Sequence, residues 1–272
     1  MSFDLRVGVA GCGRMGLGMA RAMARAGMDV AGFDVRPVAE FGDFAPHMVP
    51  DAGDFARDRE VILTVVRDIA QTEALLFDDQ AVLTRAPDLR HLVVCSTLSP
   101  RYLDALAARI PAGIAMIDAP MSGAQVAADE ARLSFMLGGT EADLDLLDPM
   151  FRTMGPKVHR MGGPGAGMRA KVLNNFVAGG AMAAVRQALA WADDLGLERQ
   201  RLLDLMHDSS GQTWFVSNFD KIEFSRDGYD AGNTIGILKK DLESCLDAVD
   251  PVDHAGLPRA IVEAIAALKP IR

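Results

Sequence analysis

The hydrophobic positions in the first 160 or so residues fall into short apolar runs separated by amphipathic segments. The runs are rich in β-branched residues, as strands are, and the segments between them carry helical periodicity. Near-continuous apolar strands that alternate with helices are typical of a parallel sheet covered on both faces. The predicted strands are Leu5–Ala10, Val30–Phe33, Val61–Val66, Leu92–Ser96, Ile114–Asp118 and Ser134–Leu137, and the predicted helices include Met15–Ala26, Ile69–Leu76 and Pro100–Arg109.

The pattern changes after Arg160. Strand signals vanish, and helical periodicity rich in Ala, Leu and Met continues almost to the last residue. The turn residues Met161–Gly165 mark the change, so we predict a domain boundary there. We expect an α/β domain with a doubly wound, mostly parallel sheet over residues 1–163 and an all-α domain over residues 164–272. A helix that begins near Ala166 and runs for about 28 residues, roughly 42 Å, would join them.

One lysine lies inside this long apolar helix. Lys171, Asn174 and Asn175 stand at i, i+3 and i+4, so they project from one side of the helix. A lone lysine on an apolar helix ordinarily extends its ammonium group to water. Asparagine is a poor helix former and needs partners when it is buried. The two adjacent asparagines therefore indicate a polar cluster with a function.

Composition and charge describe an ordinary folded chain. Half of the 272 residues are hydrophobic and 24% are charged, which allows a large core in one or two domains. The formal net charge of -9 is spread along the chain. General affinity for nucleic acid or for an anionic membrane needs clustered positive charge, so both are excluded. A small anionic ligand held by a few cations stays compatible with this charge.

Cysteine, histidine and hydropathy patterns narrow the class further. The three cysteines are too few and too scattered for a disulfide framework and indicate a reducing compartment. The five histidines have no metal-ligand spacing, so no metal is assigned. No apolar run reaches the roughly 18 residues of a membrane span, and the chain enters its first strand at Leu5 without a charged-then-apolar leader. We therefore expect a cytoplasmic protein.

A glycine-rich turn follows the first predicted strand. The segment Gly11–Gly16 fits G-x-G-x-x-G, which is a weak signal alone but a specific one between an apolar strand and an amphipathic helix. Gly11 would permit the tight turn, Gly13 the approach of a pyrophosphate, and Gly16 close contact of helix and strand. The helix N-terminus would supply amides to the phosphates. We predict a Rossmann domain that binds NAD(P) through Gly11, Cys12, Gly13, Arg14, Met15 and Gly16.

The acid that follows the second strand bears on the choice of cofactor. Asp34 lies at roughly the 20-residue spacing of the ribose-binding acid. A carboxylate there accepts hydrogen bonds from the ribose hydroxyls and repels a 2′-phosphate, so NAD is preferred. Arg36 is the counter-argument, because an arginine can pair with a 2′-phosphate. We expect Arg36 to be a solvated loop residue, and NADP stays the alternative.

Four motifs in a fixed order resemble the signatures of the β-hydroxyacid dehydrogenases, which include 3-hydroxyisobutyrate dehydrogenase and tartronate semialdehyde reductase. The first is the glycine-rich segment Gly11–Gly16, called the fingerprint below. Asp118–Gly123 resembles the family's substrate-binding signature, Gly165–Asn175 its catalytic signature, and Lys239–Leu242 a late Lys-Asp-Leu motif. Four motifs in order are far more specific than any one of them, and they cover most of the chain.

The resemblance implies a role for individual residues. Lys171 would be the general acid/base, which requires a pKa below the usual value of about 10.4. A small hydroxy acid would bind between the two domains, and the protein would form a homodimer or homotetramer. The implied substrate-binding residues are Ser122, Gly123, Asn174 and Asn175, and the further cofactor-binding residues are Asp34, Val65, Val66, Thr97 and Lys240.

Three departures from the family pattern bear on the substrate. Ala124 stands where family members usually have a second glycine, Ala131 begins a segment that is usually Gly-Thr-Leu, and Arg67 replaces a common proline. The run Ala70–Phe77 resembles the branch that acts on sugar acids such as threonate. We therefore expect NAD(P)-dependent interconversion of a small 3-hydroxy acid, a sugar acid among the candidates, and its 3-oxo acid or semialdehyde.

Three alternatives remain at this stage. An imine reductase-like enzyme would use the same architecture, although Lys171 argues against it, since related imine reductases generally lack this lysine. A non-catalytic NAD-binding redox sensor would need the fingerprint alone. A decarboxylating enzyme of the 6-phosphogluconate type would need a larger helical domain than the roughly 110 residues that follow the boundary. Arg67 and Trp214 receive no assigned role.

Overall fold

A computed structural model describes residues 4–249 and 256–271. The chain divides into two compact units, Met1–Lys171 and Val172–Arg272. The division lies inside the long helix that begins at Ala166, whereas the sequence places the boundary in the turn before this helix.

The first unit is built on one mostly parallel sheet. Its strands are Val7–Ala10 (β1), Val30–Phe33 (β2), Val61–Thr64 (β3), His91–Val94 (β4), Ala115–Asp118 (β5), Met121–Ser122 (β6), Ser134–Gly138 (β7) and Lys157–Gly162 (β8). The strand order is β2-β1-β3-β4-β5-β7-β6, and β8 pairs with β7. Strands β1 to β5 are parallel, whereas β7 is antiparallel to β5 and β6. The order reverses direction after β2-β1, which is the doubly wound arrangement.

Helices cover both faces of this sheet. They are Gly16–Arg25 (α1), Ala52–Ala56 (α2), Ile69–Leu76 (α3), Val82–Arg85 (α4), Pro100–Ala107 (α5), Ala124–Asp129 (α6), Glu141–Met154 (α7) and the start of Ala166–Asp194 (α8), with a kinked 3-10 segment over Val38–His47. Because side chains alternate along a strand, Val61 and Leu63 enter one buried cluster and Ile62 enters the other. The near-continuous apolar strands of the sequence are explained by these two cores.

The second unit is helical in the residues described. Besides the rest of α8 it contains Arg199–Asp208 (α9), Trp214–Ser217 (α10), Thr234–Ala248 (α11) and Gly256–Ala266 (α12). Its core includes Met182, Leu189 and Phe215. The buried guanidinium of Arg186 donates to the carbonyl oxygens of Ser225 and Asp227, each at 2.8 Å, and also to that of Lys269. This arginine ties the connection after α10 to the segment after α12.

The predicted fold class is confirmed: an α/β Rossmann domain is followed by an all-α region that starts with a long helix. The strand predicted at Val30–Phe33 and the helix predicted at Ile69–Leu76 match the observed limits. The sequence predicts no strand after Ser134–Leu137 and so misses all of β8, Lys157–Gly162. Most side chains of β8 are exposed, so it lacks the apolar run that marks a buried strand.

Candidate active site

The glycine-rich turn joins β1 to α1. A Cβ atom at Gly11 would lie 2.6 Å from the Val65 carbonyl oxygen, and one at Gly16 would lie 2.0 Å from the Gly11 carbonyl oxygen. Both positions therefore require glycine for packing, and Gly11 also has a φ of 94°. A Cβ at Gly13 would meet nothing within 4 Å, so Gly13 faces open space that a ligand can enter. This difference between the three glycines is the one a bound pyrophosphate requires.

The other fingerprint residues complete the start of α1. Met15 is the N-cap of α1 and makes no side-chain hydrogen bond to the helix amides, while the Arg14 side chain is exposed. Amides at a helix start that lack a side-chain cap are suited to an anionic group. Cys12 is fully buried, and burial raises the pKa of its thiol to about 12. Cys12 therefore fills space beside the loop and is not a reactive thiolate.

Asp34 and Arg36 form a bidentate ion pair just after β2. Arg36 Nε donates to Asp34 Oδ1 at 3.0 Å, and Arg36 Nη2 donates to Asp34 Oδ2 at 3.2 Å and to the Cys12 carbonyl oxygen at 2.8 Å. The hydrogen bond to Asp34 raises the pKa of the Arg36 guanidinium. Arg36 is an exposed loop residue, as expected, and the structure adds its pair with Asp34. A cleft of about 490 Å³, lined by both residues, opens beside the pair.

The ends of β3 and β4 place the next candidates for cofactor binding. The Val65 amide donates to the Ala10 carbonyl oxygen at 2.8 Å, and the Ser96 hydroxyl donates to the Val66 carbonyl oxygen at 2.7 Å. Thr97 follows Ser96 and is half-buried. Because β1, β3 and β4 are parallel neighbours, these positions gather at one edge of the sheet, where dinucleotides bind in such folds.

Ser122 is the last residue of β6, and Gly123 follows it as the N-cap of α6. Ser122 pairs with Ser134 of β7, and Gly123 has a φ of 142°. Ala124 and Ala131 are residues other than glycine with positive φ, 58° and 53°. At these two positions the backbone keeps a left-handed conformation even though the side chain is alanine.

Lys171 and Asn175 are buried one turn apart on α8, with relative exposures of 7% and 6%. Asn174 is exposed, and its Nδ2 atom lies 3.4 Å from Asn175 Oδ1. The three residues predicted to share one side of the helix are therefore not in equivalent surroundings. Burial singles out Lys171 and Asn175.

Asn175 belongs to a polar cluster in the second unit. Its Nδ2 atom donates to Asp241 Oδ2 at 2.7 Å, and Lys240 Nζ lies 2.8 Å from Asp241 Oδ1. Asp241 itself is buried. The sequence analysis assigned Asn175 and Lys240 but gave Asp241 no role, although it lies in the Lys-Asp-Leu motif. Its carboxylate connects the two assigned residues.

The sequence analysis also assigned no role to Asp118, the first residue of the second signature. Asp118 ends β5, is fully buried, and accepts hydrogen bonds from the backbone amides of Gly165 and Met168. A carboxylate at the end of an apolar strand was the available signal. The amides belong to the third signature, so two motifs that are separated in sequence meet here.

Three further residues lie in segments that the sequence singled out, and their contacts or exposure are as follows. Glu73, in the run that resembles the sugar-acid branch, accepts from the Tyr102 hydroxyl at 2.6 Å and from Arg109 at 2.7 and 2.8 Å. It thereby connects α3 to α5. Arg67 is exposed, and its backbone amide donates to Gln71 Oε1 at 2.9 Å. Trp214 begins α10 and is exposed.

Within residues 4–249 and 256–271, no three His, Cys, Asp or Glu side chains form a group that could hold a metal ion. Over the same ranges, no helix has the length and apolar character needed to cross a membrane.

Two known protein families match successive parts of the chain, and the border between the two matches lies in the turn before α8. Residues 6–163 match the family described as the NAD binding domain of 6-phosphogluconate dehydrogenase. Residues 165–268 match the family described as NAD-binding of NADP-dependent 3-hydroxyisobutyrate dehydrogenase.

Individual relatives have the same character. L-threonate dehydrogenase of Cupriavidus necator is 30% identical over 89% of this chain and 82% of its own length. NAD-dependent L-serine dehydrogenase of Pseudomonas aeruginosa is 31% identical over 85% of this chain and 81% of its own. The structure of 3-hydroxyisobutyrate dehydrogenase from Mycobacterium tuberculosis with L-serine superposes with a TM-score of 0.78 at 25% identity, over 98% and 96% of the two chains.

These matches cover nearly the whole chain and establish the reaction type. The protein is an enzyme that uses NAD or NADP and acts on the CH–OH group of a hydroxy acid. The alternative of a non-catalytic NAD-binding sensor is therefore set aside. The chain belongs to the β-hydroxyacid dehydrogenase family.

Proposed function

We propose that the protein interconverts a small 3-hydroxy acid and the corresponding 3-oxo acid or semialdehyde, with Lys171 as the general acid/base. The observation that carries this proposal is the burial of Lys171 on α8, one turn from the buried Asn175. Burial favours the neutral form of an amine, and a neutral amine can accept a proton.

The proton and the hydride follow separate routes in the proposed oxidation. The nicotinamide, when bound, supplies the hydride acceptor. Lys171 Nζ takes the proton of the substrate hydroxyl as the same carbon gives up its hydride and the C–O single bond becomes a C=O double bond. In the reverse direction Lys171 returns this proton. Asn175, held by Asp241, orients the substrate. The Ser122 hydroxyl and the amides near Gly123 bind its carboxylate.

For the cofactor we propose a preference for NAD. Asp34 lines the cleft beside β2, and its carboxylate holds Arg36 in a bidentate pair. A 2′-phosphate would have to separate this pair and would be repelled by the carboxylate. The fingerprint glycines and the strand-end residues Val65, Val66 and Thr97 would bind either dinucleotide. We further propose that Lys240 lies near the nicotinamide.

We propose a homodimer or homotetramer as the active form. Leu173, Val177 and Trp191 are exposed apolar residues of α8, with relative exposures of 54%, 67% and 60%. Their spacing of 4 and 14 residues places them on one side of the helix. An exposed apolar stripe of this kind supports association through the helical region.

A substrate screen tests the proposed function. Purified protein is assayed at 340 nm with NAD and with NADP against hydroxy acids of three to five carbons, including L-threonate, L-serine and 3-hydroxyisobutyrate. We expect turnover with at least one of these acids, and a higher kcat/KM with NAD. Turnover of cyclic imines in the absence of any hydroxy-acid activity would contradict the proposal.

A further inference from the structure

The first turn of α8 is fixed by a residue far away in sequence. Asp118 Oδ1 accepts from the Gly165 amide and Asp118 Oδ2 accepts from the Met168 amide, both at 2.6 Å. These amides lie at the N-cap and N3 positions of a helix that begins at Ala166, where backbone donors lack intrahelical partners. The carboxylate therefore caps α8 from the end of β5.

This cap differs from the others in the chain. Asp51, Thr140 and Asn233 each cap the helix that directly follows them. Those caps are local and partly exposed, whereas Asp118 is fully buried and is 47 residues from Gly165. Burial raises the pKa of the Asp118 carboxyl, although the two amide donors act in the opposite direction. A buried acid is a costly choice for capping alone, since Ser or Thr at the N-cap serves that purpose.

Two glycines make this close approach possible. A Cβ at Gly138 would lie 2.3 Å from Asp118 Oδ1. A Cβ at Gly167 would lie 2.2 Å from the Met136 carbonyl oxygen and 2.9 Å from Asp118 Oδ2. Neither position can accept a larger residue without moving strand or helix. Gly167, a glycine of the third signature, is thus explained by contact between the helix start and the sheet.

A second contact holds the same turn. Met168 is fully buried in one core of the sheet, and its Sδ atom accepts from the Leu98 amide at 3.4 Å. Lys171 follows Met168 by three residues, which is less than one helical turn and about 4.5 Å along the axis. Any shift or rotation of the first turn therefore moves the amino group of Lys171.

We propose that Asp118 is a positioning residue, whose carboxylate fixes the first turn of α8 and thereby the place of the Lys171 amino group. Asp118 acts through Lys171, so this inference rests on the proposed acid/base role of that lysine. A displacement of about 1 Å at a reacting group lowers catalytic rates by as much as about 100-fold.

A double-mutant cycle tests this inference. The variants are Asp118→Asn, Lys171→Ala and the two combined, and the rate of hydride transfer is measured at 340 nm in single turnovers with enzyme in excess. We expect Asp118→Asn to lower the rate at least tenfold when Lys171 is present and less than twofold in the Lys171→Ala background, with KM for NAD changed less than twofold. Residues that act as a unit show this non-additivity.

The outcomes separate the inference from the proposed function. Equal losses of rate in both backgrounds, or an Asp118→Asn rate within twofold of wild type, would overturn the positioning role of Asp118. Either result would leave the acid/base role of Lys171 standing. A Lys171→Ala rate within tenfold of wild type would overturn the acid/base role, whatever Asp118→Asn does. If Asp118→Asn does not give folded protein, Asp118→Ser replaces it, because serine keeps one acceptor and leaves room.

Thr140→Val is the control for lost stability. It removes a cap from α7, where Thr140 Oγ1 accepts from the Asp143 amide at 3.2 Å, and α7 carries no proposed site residue. We expect Thr140→Val to keep its hydride-transfer rate within twofold at a comparable loss in the unfolding midpoint. If Thr140→Val loses as much rate as Asp118→Asn, lower stability alone explains the effect of Asp118→Asn. This result would overturn the inference.

Discussion

Individual side chains at the end of β2 carry the proposed cofactor preference. Asp34 and Arg36 satisfy each other through two hydrogen bonds of 3.0 and 3.2 Å. Neither group can change without altering the other. The proposed preference for NAD thus depends on a charge pair and not on one acid, a dependence that the sequence alone did not indicate.

Replacing Asp34 should shift the preference towards NADP. In Asp34→Ala the repelling carboxylate is gone and Arg36 is released to meet a 2′-phosphate. We expect the ratio of kcat/KM for NADP to kcat/KM for NAD to rise at least tenfold in steady-state assays. Asp79→Ala is the matched control, because Asp79 is an exposed acid of the same cleft that does not pair with Arg36. An unchanged ratio in Asp34→Ala would be evidence against the preference.

The left-handed alanines carry backbone strain. Ala131 has a φ of 53°, a conformation that costs an L-residue about 1–2 kcal/mol and glycine almost nothing. Against this gain, glycine lowers the free energy of unfolding by about 0.4–1 kcal/mol, because it gives the unfolded chain more conformational freedom. We expect Ala131→Gly to raise the free energy of unfolding by about 0.5–1 kcal/mol, measured by urea denaturation.

The control for this change is an alanine in an ordinary helix. Ala105 is exposed on α5, where replacement by glycine should lower the free energy of unfolding by about 1 kcal/mol. Opposite signs at Ala131 and Ala105 are the expected result. Destabilisation in both variants would mean that Ala131 carries no strain.

Asp118 should give stability a specific pH dependence. Its folded-state pKa is raised, whereas in the unfolded chain the carboxyl titrates near its ordinary value of 3.8. The folded protein keeps a proton here where the unfolded chain has lost it, so stability falls as pH rises from the unfolded to the folded pKa. We expect the free energy of unfolding of wild type minus that of Asp118→Asn to decrease over this range in urea titrations. A difference that increases with pH would show that the amide donors outweigh burial.

At the scale of elements, α8 is the critical helix, because it carries both Lys171 and Asn175. Its start is packed against the sheet so closely that Gly167 has no room for a Cβ. For a Cβ at Gly179, further along the helix, the nearest atoms belong to the flexible side chain of Leu242, at 3.0 Å. The two glycines therefore differ in what they allow, although both lie on one helix.

Alanine substitution distinguishes the two glycines. We expect Gly167→Ala to lower kcat at least tenfold, because a Cβ there pushes the first turn away from the Met136 carbonyl and displaces Lys171. Gly179→Ala should keep kcat within twofold, since Leu242 can rotate away. Steady-state kinetics with the best substrate of the screen measure both. Equal effects of the two substitutions would contradict the importance of the helix start.

Elements with strong periodicity were predictable. Strands β1 to β4 are buried along their whole length and β5 at its end, so their apolar runs predict them. Helix α8 was expected near its observed start because its apolar character is continuous. Strand β8 is exposed and β6 spans only two residues, so neither leaves a periodic signal. Their pairing with β7 depends on tertiary contacts.

The sequence proposes individual residues for the candidate site but not the contacts between them. Motif spacing pointed to Lys171, Asn175 and Ser122, because each stands in a recognisable segment. The contacts made by Asp118 and Asp241 could not be inferred, since each joins segments more than 40 residues apart through a buried carboxylate. Burial of Asn175 and exposure of Asn174 likewise depend on which neighbours cover α8.

At the scale of the whole molecule, the two units share the helix that carries Lys171. A Rossmann unit presents the dinucleotide loop and the strand ends, and α8 begins in this unit and continues into the helical one. In the proposed mechanism a single amine on this helix, that of Lys171, moves the substrate proton. The proposed role of the Asp118 cap depends on that amine, because Asp118 fixes the helix turn that precedes Lys171.

The most direct test is the single-turnover rate of hydride transfer in Lys171→Ala, followed at 340 nm with the best substrate and saturating NAD. We predict a rate about 10²–10⁴-fold below wild type, the usual contribution of general acid–base catalysis, with partial recovery on addition of a small primary amine. Lys221→Ala, which removes an exposed lysine, should keep the wild-type rate. A Lys171→Ala rate within tenfold of wild type would contradict the account.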